Sequence, residues 1–328
     1  MGLSLASLGY RFGVDRRNAG FDRGRTPIAT ADVPVVSVGN ITLGGTGKTP
    51  MVEYVARWAR KRGLRAAILS RGYGQAEGLN DEGRVLEENL PDVPHLQGRD
   101  RAELARIAVN ELESEFLILD DGFQHRRLAR DLDIVLLDAL DPFGLGRIFP
   151  RGLLREPISS LKRAGVVVLS RGDLVSEADR KAIRAEAEAK AGPLVWAVAR
   201  HAPLDLLAAD ADDEPLSSIE GKPTAAFCGI GNPEGFRRTL ERLGVRLVGF
   251  RAFSDHHPYS AADVADLAKW ACGVGAESVL TTQKDSVKLR TATLGAVPLR
   301  ALRIGLEVVE GEAVLIDAID RVVAARIA

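Results

Sequence analysis

Residues 33–50 read Val-Pro-Val-Val-Ser-Val-Gly-Asn-Ile-Thr-Leu-Gly-Gly-Thr-Gly-Lys-Thr-Pro: an apolar run enters a glycine-rich turn and leaves it through Lys48 and Thr49. Glycines let backbone N–H groups converge on phosphate oxygens with no Cβ in the way. A helix beginning at Lys48 adds the positive end of its dipole. The Lys48 ammonium can reach the outer phosphates, and the Thr49 hydroxyl can ligate Mg²⁺. Gly44, Gly45, Thr46, Gly47, Lys48, Thr49 and Pro50 are therefore the candidate nucleotide-binding residues. The strict pattern asks for Gly where Thr42 stands, so this loop is a variant. The plain alternative is a glycine-rich turn followed by a chance Gly-Lys-Thr.

A nucleotide site of this kind needs an acid at the tip of a neighbouring strand to hold the metal and its waters. The run Phe116-Leu-Ile-Leu-Asp-Asp121 offers two, Asp120 and Asp121. Alone, two Asp after a strand usually make a turn; beside the glycine loop they become a candidate metal site. Asp138 ends the next apolar run, where a turn role is the better expectation. Cys228 and Cys272 match no zinc spacing and read as ordinary thiols in a reducing compartment. His95, His125 and His201 are too scattered along the chain to argue for a metal site.

The elements that must position these residues follow a βαβ rhythm. Apolar runs cover Val33–Val38, Ala66–Ser70, Phe116–Asp121, Asp133–Asp138, Gly165–Ser170 and Leu194–Ala199. They are continuous rather than alternating, as strands covered on both faces should be. Between the first two, Thr49–Arg62 places Val52, Val55, Ala56 and Ala59 on one helical face, with Gly63 as a stop. The expected fold is α/β: a parallel sheet of the P-loop NTPase type covered by helices on both faces, with a second, smaller α/β domain. The charged helix 176–191 and the acidic patch 210–214 suggest a boundary near residue 220. Strand Thr224–Gly229, helix Pro233–Leu243 and strand Ser278–Thr282 follow it. No internal repeat is evident; Leu-Ser-Arg-Gly recurs at 69–72 and 169–172, each time at a strand end.

With 328 residues and about 150 per domain, two domains are expected. A 46% hydrophobic, 27% charged composition excludes a disordered chain, and a net charge of −1 gives no overall field to draw nucleic acid. Residues 1–31 carry five Arg and two Asp, a local +3. Within them Leu3, Leu5, Leu8, Tyr10, Phe12 and Val14 mix with Arg11, Arg16 and Arg17. Such an amphipathic segment can lie in the lipid headgroup plane, and a helix packed on the first domain is the alternative. No run reaches the roughly 18 apolar residues of a spanning helix. No secretory leader is expected, since no continuous apolar core followed by a small-residue cleavage site opens the chain, and no myristoylation signal, since Ala6 stands where Ser or Thr is wanted.

Taken in order, eight strings make the chain resemble the tetraacyldisaccharide 4'-kinase family, the lipid A 4'-kinases. They are Val38-Gly-Asn-Ile-Thr…Gly-Gly-Thr-Gly-Lys-Thr-Pro50, Ser70-Arg-Gly-Tyr-Gly74, Gly98-Arg-Asp-Arg101, Asp120-Asp-Gly-Phe-Gln-His125, Leu154-Arg-Glu-Pro157, Gly229-Ile-Gly-Asn-Pro233, Phe253-Ser-Asp-His-His257 and Thr281-Thr-Gln-Lys-Asp285. The resemblance implies a kinase that uses ATP and Mg²⁺ to phosphorylate the 4'-hydroxyl of a tetraacylated glucosamine disaccharide 1-phosphate. It implies peripheral work at the cytoplasmic face of the bacterial inner membrane, and an active site in a cleft between a larger and a smaller domain. The expected division is a membrane-associating segment 1–31, a kinase domain 32–220 and a smaller domain 221–328.

By the same resemblance Lys48 binds phosphate and Thr49 the metal, with Asp120, Asp121 and Glu156 completing the metal and phosphate surroundings. Tyr73, Arg99 or Arg101, Gln124 and Arg155 are candidates for substrate contact. Where the family usually shows Gly-Asp-Glu-Pro, this chain has Asn80-Asp-Glu-Gly83, which leaves Asp81 as the base and Glu82 as the fallback. Gln283 replaces the family's Glu. His256, beside Asp255, is the candidate partner of Asp81, with His257 as the spare; without the resemblance either would read as a surface or capping histidine. Two rival functions remain at this point: a P-loop GTPase or metallochaperone, and a non-catalytic nucleotide-gated membrane module. The first lacks an Asn-Lys-x-Asp string, and the acids at 81, 120, 121 and 156 argue against the second.

Overall fold

The structure, a computed structural model, describes residues 2–72, 81–209, 212–289 and 291–327, with only the backbone of Asp81, Glu82 and Ile327. Along the chain come α1 (Gly2–Asp22), β1 (Val35–Asn40), α2 (Lys48–Lys61), β2 (Ala66–Ser70), α3 (Asp81–Asn89), β3 (His95–Gln97) and α4 (Arg101–Asn110). They are followed by β4 (Phe116–Asp120), β5 (Leu132–Asp138), β6 (Val166–Ser170), α5 (Glu177–Ala191), β7 (Trp196–Ala208), β8 (Pro223–Cys228) and α6 (Pro233–Arg242). The last are β9 (Arg246–Ala252), α7 (Ala261–Gly273), β10 (Ser278–Thr282), α8 (Gln283–Leu289), β11 (Thr293–Leu294), β12 (Val297–Glu310) and α9 (Glu312–Ile327).

The chain forms two compact units. The first holds Met1–Gly78, Leu86–His201 and Leu306–Ala328; the second holds Leu79–Val85 and Ala202–Gly305. The division thus falls at 201/202 rather than near 220, because β7 is a 13-residue strand that continues well past Ala199. Residues 306–328 belong to the first unit, since α9 sets Leu315 and Ile319 into that unit's core. Tyr54 donates to Glu312 at 2.9 Å, and Arg62 and Arg326 pair with Asp320 and Asp131.

In the first unit the strand order is β3-β2-β4-β1-β5-β6-β7, and β1 to β6 run parallel. One face buries Val36, Val38, Ile118, Ile134 and Val168 under Met51, Val52, Val55 and Ala56 of α2. The other buries Val135, Leu137, Val167 and Leu169 under Phe123, Leu161 and Leu194. Continuous apolar strands are the price of this double cover. In the second unit β12, β10, β8 and β9 are parallel neighbours. Helix α6 covers one face through Phe236 and Leu240, and α7 covers the other through Leu267 and Ala271.

β1 lies between β4 and β5, although the chain visits β2 first, so the order reverses there. In open parallel sheets ligands bind at the carboxyl ends of the strands flanking such a reversal. Register brings those ends level: Val38 faces Asp120, and Asp138 faces Ser170.

α1 docks by one side only. Ser7, Tyr10, Val14, Asn18 and Phe21, spaced three or four apart, form that side. Val14, Asn18 and Phe21 are buried, Tyr10 packs edge-on to Phe149, and the Ser7 hydroxyl donates to the Ile148 carbonyl. The opposite stripe, Leu5, Leu8 and Phe12, stays exposed at 63–68%. Among the described residues no helix is long and apolar enough to cross a membrane.

Candidate active site

The loop after β1 is held tightly at both ends. Gly39 approaches the neighbouring motif so closely that a Cβ there would lie 2.6 Å from the Phe123 Cβ. Gln124 donates its side-chain amide to the Asn40 carbonyl at 2.8 Å, and the Asn40 amide donates to the Thr46 hydroxyl at 2.9 Å. Gly47 takes φ +86°, and a Cβ on it would lie 2.7 Å from His201 Nε2, so the position demands glycine twice over. Helix α2 then starts at Lys48, with Thr49 buried in its first turn. Gly44, Gly45 and Leu43 form the exposed rim.

Lys48 Nζ lies 3.6 Å from Asp121 Oδ1, and Arg155 Nη1 donates to both Asp121 oxygens at 2.8 Å. Burial alone would raise the Asp121 pKa; Lys48 and Arg155 outweigh it and hold the carboxyl below its usual range. Asp120 is the last residue of β4, and Asp121 follows it in a left-handed conformation with φ 51°. Four sequence candidates, Lys48, Asp120, Asp121 and Arg155, thus meet at the ends of β1 and β4.

A hydroxyl and two carboxylates, from Thr49, Asp120 and Asp121, are hard oxygen donors of the kind Mg²⁺ takes alongside waters and phosphate. The glycine cradle in front of them fits the polyphosphate of a nucleotide. Glu156 lies deeper than these acids. Its carboxylate is fully buried, with one oxygen accepting from Arg17 at 2.7 Å and the other from Arg163 at 2.7 Å and Asn18 at 3.3 Å. Both oxygens are thereby engaged in tying α1 to the rest of the first unit, a structural role that the sequence reading did not include.

The remaining candidates divide. Arg101 is buried at the start of α4 and donates to the Gly98 carbonyl, whereas Arg99 is exposed. Gln124 serves the loop's backbone, as above. Tyr73 lies outside the described residues, and Asp81 opens α3 with its side chain undescribed. In the second unit His256 is 65% exposed at φ 58°, with Nε2 3.9 Å from Asp255, and its N–H donates to the Gly229 carbonyl. His257 is stacked on Phe253 with ring centroids 4.7 Å apart, so of the two histidines His256 is the one presented to solvent. The segment Leu79–Val85, which carries Asp81, falls in the same unit as His256.

Three residues against the loop escaped the sequence reading: Ser170, Arg171 and His201. The recurrent Leu-Ser-Arg-Gly string at a strand end was the available signal. Burial first, then the Arg171 cation, pushes His201 down to about 4, and burial with three nearby Arg does the same for His125. The ordinary histidine value is about 6.5. Between the two values the unfolded chain takes up protons that the folded chain refuses, so stability is expected to fall as pH drops from about 6.5 to about 4. His201→Gln should flatten that stretch of a Tm-against-pH profile; an unchanged slope would show that other groups set it.

The chain matches the family model described as tetraacyldisaccharide-1-P 4'-kinase over residues 1–324. It is 43% identical over 333 residues to the tetraacyldisaccharide 4'-kinase of Anaeromyxobacter dehalogenans (strain 2CP-C), covering 95% of this chain and 88% of that one. The protein of the same name from Syntrophus aciditrophicus (strain SB) is 38% identical, with 93% and 88% covered. Among solved structures, LpxK from Aquifex aeolicus in complex with ATP matches with a TM-score of 0.78 at 30% identity, over 97% of each chain.

Proposed function

We infer how this site works from the premise that the chain belongs to the tetraacyldisaccharide-1-P 4'-kinase family. It is an ATP- and Mg²⁺-dependent kinase that transfers the γ-phosphoryl group to the 4'-hydroxyl of the tetraacylated glucosamine disaccharide 1-phosphate, and the GTPase and nucleotide-gated readings fall away. The observation that carries the assignment of roles is the meeting of Lys48, Asp121 and Arg155 at the ends of β1 and β4.

In this reading the backbone of Gly44, Gly45, Thr46 and Gly47 cradles the phosphates, and Lys48 follows the charge that gathers on the departing group. Thr49, Asp120 and Asp121 would hold Mg²⁺, which would neutralise phosphate charge. Arg155, fixed by Asp121, presents its remaining N–H groups to anionic oxygens. Asp81 accepts the proton of the sugar hydroxyl. Because phosphoryl transfer has a loose transition state, that proton leaves late and an ordinary carboxylate suffices. His256 orients Asp81, supported by their common unit. Tyr73, Arg99 and Arg101 are retained as acceptor-binding candidates.

The acceptor is a lipid, and the reading extends to peripheral contact with the cytoplasmic face of the inner membrane. The exposed Leu5, Leu8 and Phe12 stripe of α1 is suited to it, with the exposed Arg16 available for anionic headgroups and Arg11 paired to Asp15 at 3.6 Å. Arg17 is committed to Glu156 instead. The triple variant Leu5→Ser, Leu8→Ser, Phe12→Ser leaves the docked side of α1 intact. It should lose liposome co-sedimentation and at least about 10-fold of its turnover on vesicle-borne acceptor, given roughly 1.5–3 kcal/mol per buried large apolar side chain. Activity on detergent-dispersed acceptor and Tm should change little. High salt should weaken vesicle binding only partly, because the apolar part is not screened. Equal losses on vesicle and detergent substrate would exclude the membrane role.

A further inference from the structure

We propose that Arg171, held by Asp138 and assisted by Ser170, is a positioning residue that sets the peptide planes of the phosphate-binding loop so that its N–H groups face the nucleotide. Arg171 follows the last residue of β6 in a left-handed conformation with φ 54°. Its guanidinium donates to the Gly45 carbonyl at 2.9 Å and to the Asp138 carboxylate. The neighbouring Ser170 hydroxyl, fully buried, lies 2.8 Å from the Thr46 carbonyl and 3.2 Å from that of Leu137. Asp138 is itself fixed, since it accepts the Leu140 N–H at 3.1 Å.

In a trans peptide the carbonyl and the following N–H point in opposite directions. Drawing the Gly45 carbonyl towards Arg171 therefore turns the Thr46 N–H the other way. Drawing the Thr46 carbonyl towards Ser170 does the same for the Gly47 N–H. Two successive donors are thus aimed together, which is the arrangement that binds anions. From the next residue on, the helix takes over: the Gly47 carbonyl accepts the Met51 N–H. His201 closes the space behind Gly47, so that plane cannot swing back past the imidazole.

The flexible glycine loop would otherwise pay an ordering cost on binding ATP. Arg171 suits the task because the two N–H groups of its Nη2 point in directions fixed by the guanidinium plane, one to the carbonyl and one to the carboxylate, whereas an ammonium on a flexible stem fixes no such directions. The proposal rests on the loop binding ATP, and the experiment separates the two.

Measure KM for ATP, KM for the lipid acceptor, kcat, MgADP affinity and Tm for Arg171→Met, Arg171→Lys, Asp138→Asn and Lys48→Ala. Arg171→Met should weaken MgADP binding and raise KM for ATP by about 10-fold, the worth of one charge-assisted hydrogen bond. It should lower kcat as well, leaving KM for the acceptor and Tm nearly unchanged. Arg171→Lys should recover part of the ATP affinity. Asp138→Asn added to Arg171→Met should cost nothing further, since the carboxylate acts through the guanidinium. Unchanged nucleotide affinity in Arg171→Met, with Lys48→Ala impaired, would overturn the clamp and leave the ATP site standing. Unchanged affinity in Lys48→Ala as well would overturn the loop assignment itself. Parallel rises in both KM values with a lower Tm would reduce Arg171 to a structural residue.

Discussion

Lys48→Ala is expected to lower turnover by about 10²-fold or more in a protein that folds and melts like the wild type. The ammonium sits at the mouth of the glycine loop, 3.6 Å from Asp121, where the outer phosphates must lie if the loop holds a nucleotide. Its attraction grows as negative charge moves onto the departing phosphoryl oxygens, so the loss should appear in kcat more than in KM for ATP. Removing it also takes one of three nearby cations, Lys48, Arg155 and Arg101, from Asp121. The carboxyl should then titrate closer to its ordinary value, shifting the acid limb of the pH–rate profile upward. Steady-state kinetics on detergent-dispersed acceptor measures both. Wild-type rates from the folded variant would sink the assignment of the site.

Asp81→Asn is expected to cost about 10²–10⁴-fold in kcat, the usual range for losing a general base, while MgADP affinity stays nearly unchanged. The amide keeps the shape of the side chain and removes the proton acceptor. Glu82→Gln serves as the comparison, because the two acids are adjacent in Asn80-Asp-Glu-Gly83. If Glu82→Gln is the damaging change and Asp81→Asn is mild, the base is the second acid. A double-mutant cycle with His256→Ala completes the test: strict additivity would mean that the histidine does not work through the carboxylate.

Much of this site was legible because its chemistry sits at strand ends. Gly47-Lys48-Thr49 and Asp120-Asp121 each follow a run of apolar residues covered on both faces, and such runs announce both the strand and the point where it stops. Ala66–Ser70 and Ser278–Thr282 fall where expected for the same reason. β3, three half-buried residues, has no such signature, and the later part of β7 is mostly half-buried with only Leu206 fully buried, which hid its continuation.

The structural role of Glu156 was hidden for a different reason. Its place beside Arg155 suggested the metal, but what determines its role is Arg17, 139 residues away in sequence, and no local pattern reports a partner at that distance. The docking of α1 was hidden with it, because the helix is apolar on two sides and only the fold decides which one is covered. Arg171 and Ser170 were visible only as a short recurring string; the carbonyls they hold belong to a loop more than 120 residues earlier.

The first unit is discontinuous in sequence, and that has a consequence for how the chain is made. A ribosome delivers residues in order, at about 5–20 per second. The glycine loop and β1 emerge among the earliest segments, yet the core beneath them stays open until Leu315 and Ile319 arrive on α9. Residues 202–305, by contrast, are all in hand before that helix exists. The part of the protein that begins first is finished last, and during that interval the apolar face of β1, β5 and β6 depends on the nascent chain's surroundings for cover. A premature stop before the codon for Leu315 would therefore fall on the nucleotide-binding half of the enzyme, although α9 holds none of its nucleotide-binding residues.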